Sequence, residues 1–151
     1  MVSETSERHR REAGRWTRQA AYDLADGRYA AEGSRHALAS FLSHQAAEKA
    51  VVGYLYARGA EQVWGHALSD LCEDAMALDP SFDLVKSNAA LLDKHYLGAR
   101  YPSTLPGGVP AEAYDQHDSA RALATAEEVL RFVSDRLEAE GLTPASERSD
   151  G

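Results

Sequence analysis

Lys94, His95, Tyr96, Arg100 and Tyr101, with Pro102 behind them, bring several chemically useful side chains into one short stretch. A guanidinium is a planar fork that fits phosphate or carboxylate, and a tyrosine ring is a face on which a base can stack. Proline restricts both its own backbone and that of the residue before it, so it holds the Arg-Tyr pair in place. These types suit a nucleotide. Lys49 and His66, from two other parts of the chain, are expected to approach and complete a local positive cluster. The expected ligand-binding set is therefore Arg100, Tyr101, Lys94, His95, Lys49 and His66, while Tyr96 suits the core as well as the site. The structural alternative is that Arg100 pairs with an internal acid such as Asp23 or Glu48 and fixes the loop. His44 and Glu48 are four apart on one helical face, but two ligands do not make a metal site. No phosphate-cradling glycine loop, zinc spacing, nucleophile elbow or di-iron pattern is present. Neither a metal nor a cofactor is expected.

The element that must position these groups runs from Ser34 to Arg58, about seven turns at ~3.6 residues per turn. It contains no proline and stops at Gly59. Ala37, Leu38, Phe41, Val51, Val52, Leu55 and Tyr56 share one broad apolar face. The opposite side carries Ala39, Ser43, Ala46, Ala47, Ala50 and Gly53, nearly all small. A helix apolar or small almost all round is central, with neighbours on several sides. His44, Gln45, Glu48 and Lys49 form a polar belt at its middle. Each buried and unpartnered group there would cost ~1–3 kcal/mol, so these side chains must be paired, wet or facing a cleft.

The rest of the chain reads as helices around that one. A basic run, Arg10, Arg11, Arg15 and Arg18, opens a first helix with Trp16, Ala20, Leu24 and Ala31 on one face, Asp23 at its rim and a stop near Gly33. Gly27 is kept there for close packing against the small face of the central helix. The short break EGSR makes the first two helices an antiparallel hairpin. A third helix is expected from His66 to Leu78, and Asp79-Pro80 ends it. A fourth begins at Pro80 or Ser81 and carries Phe82, Val85, Ala89, Leu92 and Tyr96. Residues 97–114 hold three prolines and three glycines, which rules out a continuing helix. A last helix is capped by Asp118 or Ser119 and points Leu123, Ala126, Leu130, Val133 and Leu137 inward. The expected fold is all-α, an up-and-down bundle of about five helices over residues 10–139, with a flexible N-terminus at 1–9 and a disordered tail at 140–151.

Length and composition bound the function. The chain has 151 residues, 44% hydrophobic and 26% charged, which describes one ordinary globular domain. No run approaches a membrane span, no signal-peptide core is present, and the single cysteine, Cys72, reads as a small core residue. A cytoplasmic location without membrane contact is expected. The net charge of −8 argues against a protein that coats long nucleic acid, while leaving room for a local basic cleft.

Four stretches taken together, WTRQAAYDLADGRYA, FLSHQAAEKA leading into YLY, WGHALSDL and LDKHYLGARYPS, resemble the HEPN family in order and spacing, from about Trp16 to Leu137. The likeness is nearest to the small stand-alone prokaryotic members and to the C-terminal domain of sacsin. The resemblance implies a helical bundle, a homodimer and the binding of a nucleotide such as ATP or GTP. It also implies pairing with a minimal nucleotidyltransferase, in toxin–antitoxin fashion. The family's ribonuclease branch places four to six residues between an arginine and the histidine that follows it. Here Arg28–His36 and Arg58–His66 each enclose seven residues, and His95 and Arg100 stand in reversed order. The expectation is thus a dimeric, non-catalytic nucleotide-binding domain. The alternatives are a metal-independent ribonuclease toxin and a pure protein-interaction module.

Overall fold

The computed structural model describes residues 4–64 and 67–144 and is all-helical among them. Six α-helices follow in order: α1 (Glu4–Glu32), α2 (His36–Ala57), α3 (Leu68–Met76), α4 (Asp83–Gly98), α5 (Pro110–Ala113) and α6 (Gln116–Ala139). Short 3₁₀ turns at Pro80–Phe82 and Pro102–Thr104 precede and follow α4. One helix more than the expected five comes from α5, a single turn inside the breaker-rich segment.

The central helix is α2, which packs against α1, α3, α4, α5 and α6. Its small side is fully used: Ala39, Ser43, Ala46, Ala47, Ala50 and Gly53 are all buried. A Cβ on Gly53 would lie 2.7 Å from Thr17 Cγ2 and 3.2 Å from the Ala13 carbonyl, so this is where α1 and α2 come closest. Gly27 plays the expected part from the other side, with Ala39 O and Leu123 Cδ2 within 3.4 Å of where its Cβ would be. The broad side fills the opposite core with Val51, Val52 and Leu55, but Leu38 is half exposed and Phe41 only partly covered. Tyr54 and Phe82 are buried as an aromatic pair 4.5 Å apart, with Phe132 edge-on to Phe82.

Helix ends follow local chemistry. The α1–α2 turn passes through Ser34 at φ 61, and Arg35 N–H donates to the Ala30 carbonyl at 2.8 Å. Gly59, at φ 100, lets Ala60 N–H reach back to Leu55 O and close α2. Asp79 ends the third helical segment as expected and accepts from Ser81 N–H at 3.0 Å. The cap of α6 lies upstream of the expected one. Asp115 accepts from Asp118 N–H at 3.0 Å, and Asp118 returns the bond to Asp115 N–H at 2.9 Å, a reciprocal box. Ser119 is instead buried and bonded to His36 Nδ1 at 2.8 Å.

The ends of the chain differ from expectation where the structure describes them. Helix α1 already runs from Glu4, since no glycine or proline interrupts the segment. Arg8 pairs with Glu61 at 3.0 Å, and His9 is buried. At the other end, Arg10 donates to Gly141 O at 2.9 Å and Leu142 packs against the core. The remainder of the expected tail, residues 145–151, lies outside the described residues. Cys72 is buried as expected, and burial pushes its thiol up to about 12. No described helix is long and apolar enough to cross a membrane.

Candidate functional site

The side chain of Arg100 is placed by three local devices. The last turn of α4 tightens, with Arg100 N–H and Tyr101 N–H both donating to Leu97 O. Tyr101 then extends, as a residue before proline must, at φ −122 and ψ 125. Thr104 Oγ1 donates to Tyr101 O at 2.7 Å and holds the turn shut. The guanidinium is left lying over Phe41 of α2, Cζ 4.5 Å from the ring centroid, with the Tyr101 ring at 5.5 Å.

Phe41 and Arg100 line one groove of about 650 Å³. The α1–α2 turn supplies Ser34 and Arg35, α2 supplies His36, Ala37 and Leu38, and the chain after α4 supplies Ala99, Pro102, Val109, Pro110 and Ala111. Its charged side chains are two arginines; no carboxylate lines it among the described residues. No ion pair or hydrogen bond joins the Arg100 guanidinium to an acid among the described residues either. The acids named as its structural partners are committed elsewhere. Asp23, expected at a rim, is buried and bonded to Lys49 and to Gln19 Nε2, the latter at 2.8 Å. Glu48 faces Gln45 Nε2 at 3.5 Å and His44 Nδ1 at 3.8 Å.

The polar belt of α2 is largely paired. His44, 2% exposed, shares a 2.9 Å hydrogen bond with Asp93 of α4 through Nε2. Asp93 also accepts from Leu68 N–H, Ser69 N–H and Ser69 Oγ–H at 2.8–3.0 Å, so an α4 carboxylate caps α3 and ties it to the central helix. Burial works to raise the Asp93 pKa, but the bonds from Ser69, Leu68 and His44 outweigh it and hold the carboxyl below its ordinary value. Glu48 goes the other way: burial raises it, only partly offset by the nearby His44 and Lys49. The same logic recurs at the far end of α2, where Arg58 bonds Tyr54 and Glu140 while Arg136 bonds Asp79.

Over residues 13–137 the chain matches the HEPN domain family. It belongs to that family. Three solved structures are similar to it. TT1696 of Thermus thermophilus is 35% identical with a TM-score of 0.77, covering 83% of this chain and 98% of its own. ST0689, described as an archaeal HEPN homologue, is 36% identical at 0.69, with 83% and 98% covered. A HEPN domain protein of Thermotoga maritima, tm0613, is 29% identical at 0.66, with 82% and 98% covered. No curated protein matches the chain.

Within this HEPN domain the six expected ligand residues do not form one cluster. Arg100 and Tyr101 come together. His95 Nδ1 is bonded to the Tyr114 hydroxyl at 2.9 Å, away from the groove lining, and burial lowers its pKa so that it favours the neutral form. Lys94 is exposed on α4, and Lys49 is bound to Asp23 beside a different groove. His66 lies outside the described residues. The sequence reading passed over Arg35, His36 and Phe41, which line the groove with Arg100. Their signal was positional: Arg35 and His36 straddle the start of α2, about one and a half turns before the ring on which Arg100 rests.

Proposed function

We propose that this HEPN domain binds a small nucleotide such as ATP or GTP, without catalysis, in the groove under Arg100. The carrying observation is that guanidinium: stacked on Phe41, bonded to no carboxylate among the described residues, and set beside Arg35 and His36 in an acid-free groove. Phosphates are suited to the arginine forks, and the base to the apolar wall formed by Leu38, Val109 and Pro110. Tyr101, its ring 5.5 Å from the Arg100 guanidinium, forms the flank of this site, while Lys94 and His95 stand apart from the groove lining. Lys49 is assigned to the fold. The protein acts as a homodimer, supported by exposed Leu84, Leu91, Tyr96, Leu97 and Trp64, with a minimal nucleotidyltransferase as its partner in a toxin–antitoxin setting. Its place of action is the cytoplasm.

Titration calorimetry with ATP and GTP tests the site, and light scattering tests the dimer. Arg100→Ala weakens nucleotide binding by ~1.5–3 kcal/mol, the range of a charge-assisted contact. At a hundred times its dissociation constant the bound nucleotide stabilises the fold by about 2.7 kcal/mol. Absence of any nucleotide binding by the wild type sinks the reading in favour of an interaction module. Cleavage of RNA by the purified, metal-free protein replaces it with the ribonuclease reading.

A further inference from the structure

His36 enters the Arg100 groove with its ring held from outside by α6. It is half-buried at the first position of α2, and its Nδ1 lies 2.8 Å from Ser119 Oγ. Ser119 is 1% exposed, and its hydroxyl has two neighbours, that nitrogen and the Gln116 carbonyl at 3.2 Å. Gln116 opens α6, so its carbonyl is also offered an amide one turn on, in the ordinary helix ladder. The single hydroxyl proton therefore goes to the shorter contact, and the ring proton of a neutral His36 sits on Nε2. Nε2 has no partner among the described residues and is not a buried orphan, so it opens to the solvent of the groove that His36 lines.

The charges around it are unmatched. Arg35 is exposed at the turn into α2 and Arg100 rests on Phe41, and neither guanidinium is paired with an acid among the described residues. Asp115 and Asp118, the two acids at the start of α6, are bound to each other's backbone amides in the cap and do not line the groove. A terminal phosphate brings about −1.5 to −2 charges and three strong acceptor oxygens. Two guanidiniums match that charge, and a neutral Nε2–H adds a donor without adding a third cation. A phosphodiester brings one charge and two free oxygens, which leaves one cation and one donor unanswered.

Resting on the nucleotide reading of this groove, we infer that it selects a terminal phosphate, which His36 reads through Nε2–H in the tautomer set by Ser119. Ser119 is a positioning residue: it is buried behind the ring and acts on the ligand through it. The ligand class is a nucleoside mono-, di- or triphosphate with a free phosphate end. Cyclic nucleotides, dinucleotides such as NAD and the internal linkages of RNA lack that end and are bound more weakly. A carboxylate in the place of Ser119 would draw a second proton onto the ring, whereas a hydroxyl, which donates as well as accepts, leaves it neutral.

The test is titration calorimetry of ATP, AMP, cyclic AMP and NAD at neutral pH. ATP and AMP bind the wild type, and cyclic AMP and NAD bind at least about tenfold more weakly. His36→Ala weakens ATP and AMP about tenfold and leaves the other two where they were, so the discrimination disappears. Ser119→Ala loses part of it, and Ser119→Thr, which keeps the hydroxyl, restores it. Proton–nitrogen correlation spectra of the imidazole supply a readout that a merely structural role does not move. They show the Nε2–H tautomer in the wild type and in Ser119→Thr, and a mixture of tautomers in Ser119→Ala at an unchanged thermal midpoint. Should Ser119→Ala melt early, His36→Ala and the wild-type tautomer still decide. Equal affinity for AMP and cyclic AMP while ATP still binds overturns the inference and leaves the nucleotide reading standing. So does a neutral wild-type ring protonated on Nδ1, or a His36→Ala variant that discriminates like the wild type. No binding of any of the four ligands removes the nucleotide reading itself, and this inference with it.

Discussion

Arg136 and Arg100 are the same side chain in two regions of one bundle, and they are used in opposite ways. Around the far end of α2, cations and carboxylates answer one another: Arg136 with Asp79, Arg58 with Glu140 and the Tyr54 hydroxyl, whose pKa burial pushes up to about 12. The belt at the middle of α2 follows the same rule through His44–Asp93 and Lys49–Asp23. At the near end, Arg100 rests on an aromatic ring and Arg35 lines the same groove, which no carboxylate lines among the described residues. Charges matched within the fold are committed to stability. A cation held by a ring instead of an acid keeps its hydrogen-bonding fork available to a ligand.

The contrast is broken most severely at Asp93. Replacing it by alanine removes the cap of α3 and strands a buried histidine, so Asp93→Ala lowers stability by ~3–5 kcal/mol in a urea melt. Asp93→Asn retains an acceptor for the α3 amides and loses less. A loss below about 1 kcal/mol for the alanine variant would remove Asp93 from the committed set. Asp23→Ala follows, at ~1–3 kcal/mol, because Lys49 is then left partly buried without its acceptor. If that variant melts like the wild type, Lys49 returns to the list of groups free to meet a ligand.

Protonation offers a smaller and signed test. Glu48 has its folded pKa raised above 4.5 by burial, so the folded state holds this proton more tightly than the unfolded chain. Its contribution to stability is therefore present below pH 4.5 and lost as pH rises through the raised folded value. Asp93 has the opposite sign. Its folded pKa lies below 3.8, so its contribution is present above that value and is lost as pH falls through the folded one. Glu48→Gln levels the decline on the upper side while leaving the acid limb in place, which urea midpoints measured from acid to neutral pH will read. A variant that steepens the upper decline would show that Glu48 is held charged by His44 and Lys49 after all.

Much of this was legible in the sequence, and the gaps have physical causes. The all-small side of α2, the glycines at positions 27, 53 and 59 and the break after Glu32 carry the bundle, because helix spacing and close packing leave a periodic mark. The polar belt was visible as a belt, yet its partners were not: Asp93 and Asp23 lie on other helices, and a single sequence does not say which acid meets which base. The candidate site was half legible. Arg100-Tyr101-Pro102 announces itself by composition, whereas Phe41 looks like any core residue on its apolar face. Only the tertiary approach of α4 to α2 turns that ring into the support of a guanidinium. The pairing of Lys49 was hidden for the same reason, since Asp23 is distant in sequence, on α1, but adjacent across the α1–α2 contact.

The smallest expected effect is also the one that divides the two regions. Arg100 makes ring contacts with Phe41 and Tyr101 at an exposed position, and such contacts contribute ~0.5–1 kcal/mol. Its backbone role in closing α4 is carried by its N–H bond to Leu97, which alanine retains. Arg100→Ala therefore lowers stability by no more than about 1 kcal/mol, against several for Asp93→Ala. Phe41→Leu, which removes the ring but keeps an apolar side chain on α2, loosens the guanidinium and lowers nucleotide affinity with little change in the melt. The pair of variants is informative together: if both weaken binding by similar amounts and the double variant is no worse than either, ring and cation act as one device. A large loss of stability in Arg100→Ala, with no change in binding, would instead put this arginine beside Arg136 as a strut and erase the distinction between the two ends of α2.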